Sequence, residues 1–165
     1  MEIERRWRVS KDNIPFGKIT DEYEIEQVYS CQYPEVRIRK EVRHTGEIDY
    51  YHCTKYKIDD LQKIEIQQNI FEDDYNSIFK FINKKPVVKC RRIIPLGRGL
   101  KAEVDYFYKT NKYIVEVEFH SIEEADSFVA PDWFGNEITG VDISRNVFNM
   151  LNRQATLKEK LEIYC

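Results

Sequence analysis

No apolar run in this chain approaches the roughly 20 residues that a membrane-spanning helix needs. The first residues are acidic and basic rather than apolar, so neither a membrane anchor nor a signal peptide is expected. A basic excess is also missing. A third of the residues are charged, yet the net charge is only −3, which argues against a general nucleic-acid binder. The four cysteines (Cys31, Cys53, Cys90 and Cys165) include no C-x-x-C pair, and only His44, His52 and His120 could assist them. That spacing makes a zinc cluster improbable, and free thiols in a reducing cytoplasm are the expectation. No repeat, low-complexity tract or Gly/Ser linker marks a boundary, so the 165 residues are expected to form one domain, 1–165.

What is present is a series of short stretches with period-two alternation. Strands are expected at 2–9, 23–29, 35–43, 49–58, 63–70, 87–94, 102–108 and 113–120. Turn chemistry separates them at His44-Thr45-Gly46-Glu47, Asp59-Asp60 and Thr110-Asn111-Lys112. Tyr75, Ile78, Phe79 and Ile82 recur at helical spacing after Asp73-Asp74. Ser121 with Glu124 makes a capping box for a short helix ending near Pro131. Ile143, Val147, Met150 and Leu151 form an apolar stripe, and Thr156 with Glu159 caps a further helix. The expected class is α+β, mainly β: an eight-stranded antiparallel closed barrel with a few peripheral helices. Trp133 and Phe134 are expected to plug one end of it.

The opening MEIERRWRVS places Glu2, Glu4, Arg6 and Arg8 on one strand face, two acids followed by two bases. The arrangement recurs along the chain. Arg37/Arg39, Lys55/Lys57, Glu65/Gln67, Lys89/Arg91, Glu103/Asp105 and Glu116/Glu118 each sit two apart, with apolar residues between them. An ordinary antiparallel sheet with one face in water alternates in the same way. Two details point further. The charges are sorted by strand into like-signed pairs, which are unfavourable neighbours on a merely solvated face. Glu116 and Glu118 also lie within an otherwise hydrophobic strand.

If the sheet closes with these faces inward, the bore is a polar tunnel with acids on some staves and bases on others. A small polyanion together with divalent cations would neutralise both sets. Carboxylate pairs suit Mg²⁺ or Mn²⁺, which take oxygen ligands, while lysine and arginine suit phosphoryl oxygens. The chemistry implied is phosphoryl transfer, in the first instance hydrolysis.

Several of these stretches resemble motifs of one family, the CYTH superfamily of triphosphate tunnel metalloenzymes. Glu2-Ile3-Glu4-Arg5-Arg6 resembles its E-x-E-x-K signature with Arg for Lys. Gln27-Val28-Tyr29 resembles its Q-G-Y, Val36-Arg37-Ile38-Arg39 its V-R-x-R, and Lys89-Cys90-Arg91 its K-x-R. Glu103-Val104-Asp105 and Val115-Glu116-Val117-Glu118-Phe119 match its later acidic strands, and residues 133–139 its W-x-G-x-E-V-T stretch.

The resemblance implies a triphosphate bound in the bore of a closed barrel and hydrolysed there with Mg²⁺ or Mn²⁺. It makes Glu2, Glu4, Glu116 and Glu118 metal-site carboxylates, supported by Glu103 and Asp105. Arg6, Arg37, Arg39, Lys55, Lys89 and Arg91 become phosphate-binding residues, and Arg6 with Tyr29 also the catalytic pair. Arg6 replaces a lysine and cannot act as a base. Gln67 stands where an acid is usual, and Ile143-Ser144 replaces an R-Y. Register leaves Lys55 and Lys57 as alternatives for the tunnel lysine. The implied substrate is tripolyphosphate, thiamine triphosphate or a nucleoside triphosphate. Class IV type adenylyl cyclisation of ATP, or triphosphate binding without turnover, stand as alternatives. A cytoplasmic monomer or homodimer is expected, with no nucleic-acid or membrane partner.

Overall fold

A computed structural model describes residues 1–153. Its strands are β1 (Glu2–Val9), β2 (Asp21–Gln32), β3 (Glu35–Arg43), β4 (Ile48–Lys57), β5 (Gln62–Asn69), β6 (Val87–Gly97), β7 (Leu100–Phe107) and β8 (Lys112–Phe119). They close into an antiparallel barrel in the order β1-β5-β4-β3-β2-β6-β7-β8. Two meanders, β2 to β5 and β6 to β8, meet where β2 pairs with β6, and β1 closes the ring. Three helices are added: α1 (Glu72–Ile82), α2 (Ile122–Ser127) and α3 (Ile143–Leu151). The capping pair expected at Thr156 and Glu159 lies outside the described residues, as does Cys165. Among the described residues no helix is long and apolar enough to cross a membrane.

Alternation sends the apolar side chains outward, where other segments cover them. Trp7 is 2% exposed, with its ring 4.9 Å from Phe134 and 5.7 Å from Phe128. Trp133 stacks edge-on against Phe134 at 4.5 Å. Trp133 and Phe134 therefore cover the outer flank of β1 rather than plugging a barrel end. They do so because Trp7, on the opposite strand face from Glu4 and Arg6, needs an apolar partner. On the far side α1 lays Tyr75 against Val28 and Ile38, and the Tyr75 hydroxyl donates to Glu26 at 2.9 Å. Three acids in the first turn favour α1 through its dipole, and Asn83 ends it in the left-handed conformation at φ 50°.

β1 has a divided second edge. Its first residues pair with β5, at Glu2 with Lys63 and Ile3 with Gln62. Further along, residues 135–139 take the place of β5. Arg8 N–H donates to Asn136 O (2.9 Å), Gly135 N–H to Arg8 O (2.8 Å) and Ile138 N–H to Arg6 O (2.8 Å). Position 135 must be glycine, since a Cβ there would lie 2.6 Å from the Arg8 carbonyl oxygen. Outside the barrel, Arg5 grips Glu137 with two bonds of 2.8 Å and fixes this strap.

The strap leads into α3, where the Asp142 carboxylate caps the helix by accepting from Arg145 N–H at 2.9 Å. The buried face of α3 is Ser144, Val147 and Phe148, and Met150 is exposed. The expected stripe thus turns by about one position, because Phe148 packs 5.0 Å from the Tyr29 ring. At this end the inward face of the barrel becomes apolar. Tyr29, Val87, Phe107 and Ile114 pack with Val147 and Phe148, and they seal the bore.

Candidate metal and phosphate site

Above that seal lies a cavity lined by nineteen residues, nine acidic, seven basic and three neutral (Tyr23, Gln67 and Ser144), with no aliphatic side chain among them. The strand order sorts them. Lys55 on β4, Arg37 and Arg39 on β3, and Lys89 and Arg91 on β6 form a continuous basic wall around β2. Glu103 on β7, Glu116 and Glu118 on β8, Glu2 and Glu4 on β1, and Glu65 on β5 form the facing acidic wall. Arg6 and Lys63 interrupt the acids; Glu35 and Glu41 interrupt the bases.

Ion pairs link the two walls. Lys55 Nζ lies 2.9 and 2.8 Å from the two Glu2 oxygens and 3.4 Å from Glu65. Of the two alternatives, Lys55 lines the cavity, while Lys57 sits half-exposed at the strand end on Asp60. Arg6 donates to Glu4 at 2.5 Å and to the Val141 carbonyl at 2.7 Å, and its Nε is 3.3 Å from Glu116. Lys63 also bonds Glu4. Arg37 donates to Glu35 at 2.6 Å, and Arg145 on α3 reaches Glu35 from the other side at 3.3 Å. The buried Nε atoms of Arg37 and Arg39 have no hydrogen-bond partner among the described residues. Those donors suit a ligand oxygen.

Two residues fall outside this lining. Asp105 is fully buried behind it, holding Lys89 at 2.6 Å and Arg91 by two bonds of 2.6 Å. These bonds occupy its oxygens and make it a counter-ion to the basic wall rather than a metal-facing carboxylate. Tyr29 is buried in the apolar seal, where its hydroxyl accepts from Gln27 at 3.3 Å. Burial holds its pKa well above the usual tyrosine range, so its proton is kept. Tyr29 supports the floor and does not meet the cavity.

The carboxylates carry a surplus of negative charge. Burial raises Glu2 to about 7, against the pull of Lys55, and Glu4 and Glu65 push it in the same direction as burial. Burial together with Glu103, Glu65 and Glu4 also raises Glu118. Glu116 is held well below the usual range despite burial, because Arg6, Arg91, Lys89 and Lys55 surround it. An all-oxygen donor set with uncompensated charge fits a hard divalent cation. Among the described residues no three carboxylates converge as a ready chelate.

Comparison with known proteins finds relatives of this fold. The solved inorganic triphosphatase NE1496 is 28% identical and matches 84% of this chain and 87% of its own, with a TM-score of 0.54. This likeness agrees with the resemblance of the sequence motifs to the CYTH superfamily of triphosphate tunnel proteins. An inorganic triphosphatase of Acetivibrio thermocellus is 31% identical over 80 residues, 48% of this chain and 51% of the relative, so the match spans about half of that protein's length. PH1819 of Pyrococcus horikoshii, 20% identical, shares the fold over the full length of both chains with a TM-score of 0.60. No family model matches the chain.

Within this barrel the sequence located both charged walls. It missed Lys63, Glu35, Glu41 and Asp142 as lining residues. Lys63 and Glu41 continue the period-two rows of their strands, so counting two residues outward finds them. Asp142 and Ser144 arrive with α3, and no strand periodicity reaches them.

Proposed function

We propose that the protein hydrolyses a phosphoanhydride bond of inorganic tripolyphosphate with Mg²⁺ or Mn²⁺. The observation that carries this reading is the facing of a basic and an acidic wall across a cavity without apolar lining. The basic wall suits the phosphoryl oxygens: Arg37, Arg39 and Arg91 as forks, and Lys55 and Lys89 as point charges. Glu2, Glu4, Glu116 and Glu118, with Glu103 beside them, would hold the metal. When bound, it would polarise phosphoryl oxygens and neutralise charge developing in the transition state.

The chain's own task is positioning. The bases fix the phosphate chain, and the acidic wall leaves space for a water molecule. Water oxygen bonds to a terminal phosphorus and the bridging P–O bond breaks. Pyrophosphate leaves, and the proton from water passes to solvent. Little covalent work falls to the side chains in such a loose transition state. Arg6, always protonated, contributes charge and structure rather than base catalysis.

The lining also argues for an inorganic substrate. A nucleobase or thiazolium ring is ordinarily held against apolar or aromatic surface, and Tyr23 is the one aromatic side chain in the lining. The test is orthophosphate release from tripolyphosphate, thiamine triphosphate and ATP, with and without Mg²⁺ or Mn²⁺. The reading expects metal-dependent release that is fastest with tripolyphosphate. Faster release from an organic triphosphate, or cyclic AMP from ATP, would refute it.

A further inference from the structure

We propose that the Lys63 ammonium occupies the place of a divalent cation at Glu4, so that the acidic wall takes one metal ion per chain, at Glu118, rather than two. The inference rests on the metal-dependent reading above and concerns how many ions the wall holds. Lys63 and Arg6 both donate to Glu4, and both use the same oxygen, Oε1. They come from different strands: Arg6 from β1 itself, Lys63 across the seam from β5, where its backbone lies opposite Glu2. Neither partner is a loose surface group, since the Lys63 side chain is 12% exposed and that of Glu4 5%. Glu4 is thus already neutralised by two fixed positive charges. A divalent ion brought to its other oxygen, Oε2, would meet both of them at short range, where like charges repel strongly once water is scarce. The ammonium can also serve the substrate as an ion would. It is a compact charge with three N–H donors, of which Glu4 uses one, and Lys63 lines the cavity.

The other staves show where a cation is still wanted. Among the described residues, every carboxylate of the cavity lining has an ion pair with a lysine or arginine except Glu118. Glu118 lies opposite Glu4 on the β1–β8 ladder and lines an opening with Glu2, Glu65 and Gln67. β5 adds little negative charge there, because its inward row of Lys63, Glu65 and Gln67 is a base, an acid and a neutral amide. One divalent ion at Glu118 would answer the charge that the fixed cations leave over. A second would have to displace Lys63 from Glu4.

Electron paramagnetic resonance of free Mn²⁺ counts bound ions on the full chain, with no substrate and no turnover. The wild type is expected to take up one Mn²⁺ per chain, Lys63→Met two, and Lys63→Arg, which keeps the charge, one. Glu118→Gln should lose the single ion. Circular dichroism establishes that each variant is folded, and the wild-type count tests the proposal by itself where one is not. Two Mn²⁺ in wild type or in Lys63→Arg, a folded Lys63→Met that still binds one, or a Glu118→Gln that keeps its ion would overturn the proposal and leave the hydrolytic reading standing. No Mn²⁺ on the wild type would overturn it as well, and orthophosphate release without metal would then show that the metal-dependent reading had failed with it.

Discussion

Arg6 and Val141 are joined by a 2.7 Å hydrogen bond from the guanidinium to the carbonyl oxygen, while a second nitrogen of the same group holds Glu4 at 2.5 Å. One side chain thus ties the strap preceding α3 to the acidic wall. The backbone strengthens the tie, since Arg6 N–H donates to the Thr139 hydroxyl and Arg6 O accepts from Ile138 N–H. A lysine ammonium is a point donor and lacks the planar fork that spans both partners.

Arg6→Lys is therefore expected to destabilise the fold by about 1–3 kcal/mol, the worth of one or two charge-assisted hydrogen bonds. Arg6→Ala should cost about 3–5 kcal/mol, because it leaves buried Glu4 with fewer partners. Urea unfolding of the three proteins measures both. An Arg6→Lys variant as stable as wild type would contradict the anchoring role.

Tyr29 and Arg37 separate support from contact. Tyr29→Phe removes a hydroxyl that accepts one 3.3 Å bond inside the seal. It should change turnover by less than about threefold and stability by about 1 kcal/mol. Arg37→Ala removes a cavity-lining guanidinium and should raise the apparent Kd for tripolyphosphate by on the order of 10²-fold or more. Titration calorimetry beside a phosphate-release assay distinguishes the two. Loss of turnover in Tyr29→Phe with intact binding would return Tyr29 to the chemistry.

Lys89 sets a limit on the alkaline side. Burial, with Arg91 beside it, lowers its pKa to about 8, against the pull of Asp105 and Glu116. Below that pH the ammonium is present to meet a phosphate; above it the group is neutral. Apparent affinity for tripolyphosphate is therefore expected to fall as pH rises through 8, by up to about tenfold per unit for one proton. In Lys89→Arg, which stays charged, that fall should disappear. Affinity that rises between pH 8 and 10, or an identical profile in the variant, would show that Lys89 does not set it.

Much of this site was legible because the sequence repeats one rule. β1 at 2–9 and β3 at 35–43 coincide with the expected strands, and the like-signed pairs on six of the eight staves implied a charged bore. What escaped is what no local period encodes. β2 runs on to Gln32 because a register shift between Tyr29 and Cys31 lets pairing with β3 continue past the expected end at 29. The strap at 135–139 is too short and irregular to show alternation, and the Arg5–Glu137 pair that fixes it joins residues 132 positions apart. The relocation of Asp105 and Tyr29 has the same origin. Both are inward by alternation, but barrel tilt and α3 decide which inward residues meet the cavity and which lie under its floor.

The most direct measurement is a phosphorus NMR time course of tripolyphosphate with Mg²⁺, comparing wild type with Glu116→Gln. Glu116 lies at the centre of the acidic wall, against both Arg6 and Arg91. The wild type should convert tripolyphosphate to pyrophosphate and orthophosphate in equal amounts, and chelation of the metal should stop it. Glu116→Gln should slow this on the order of 10²-fold or more, the scale of a weakened metal contribution. Tripolyphosphate unchanged by wild type with metal present, or turned over equally by Glu116→Gln, would contradict metal-dependent hydrolysis in this tunnel.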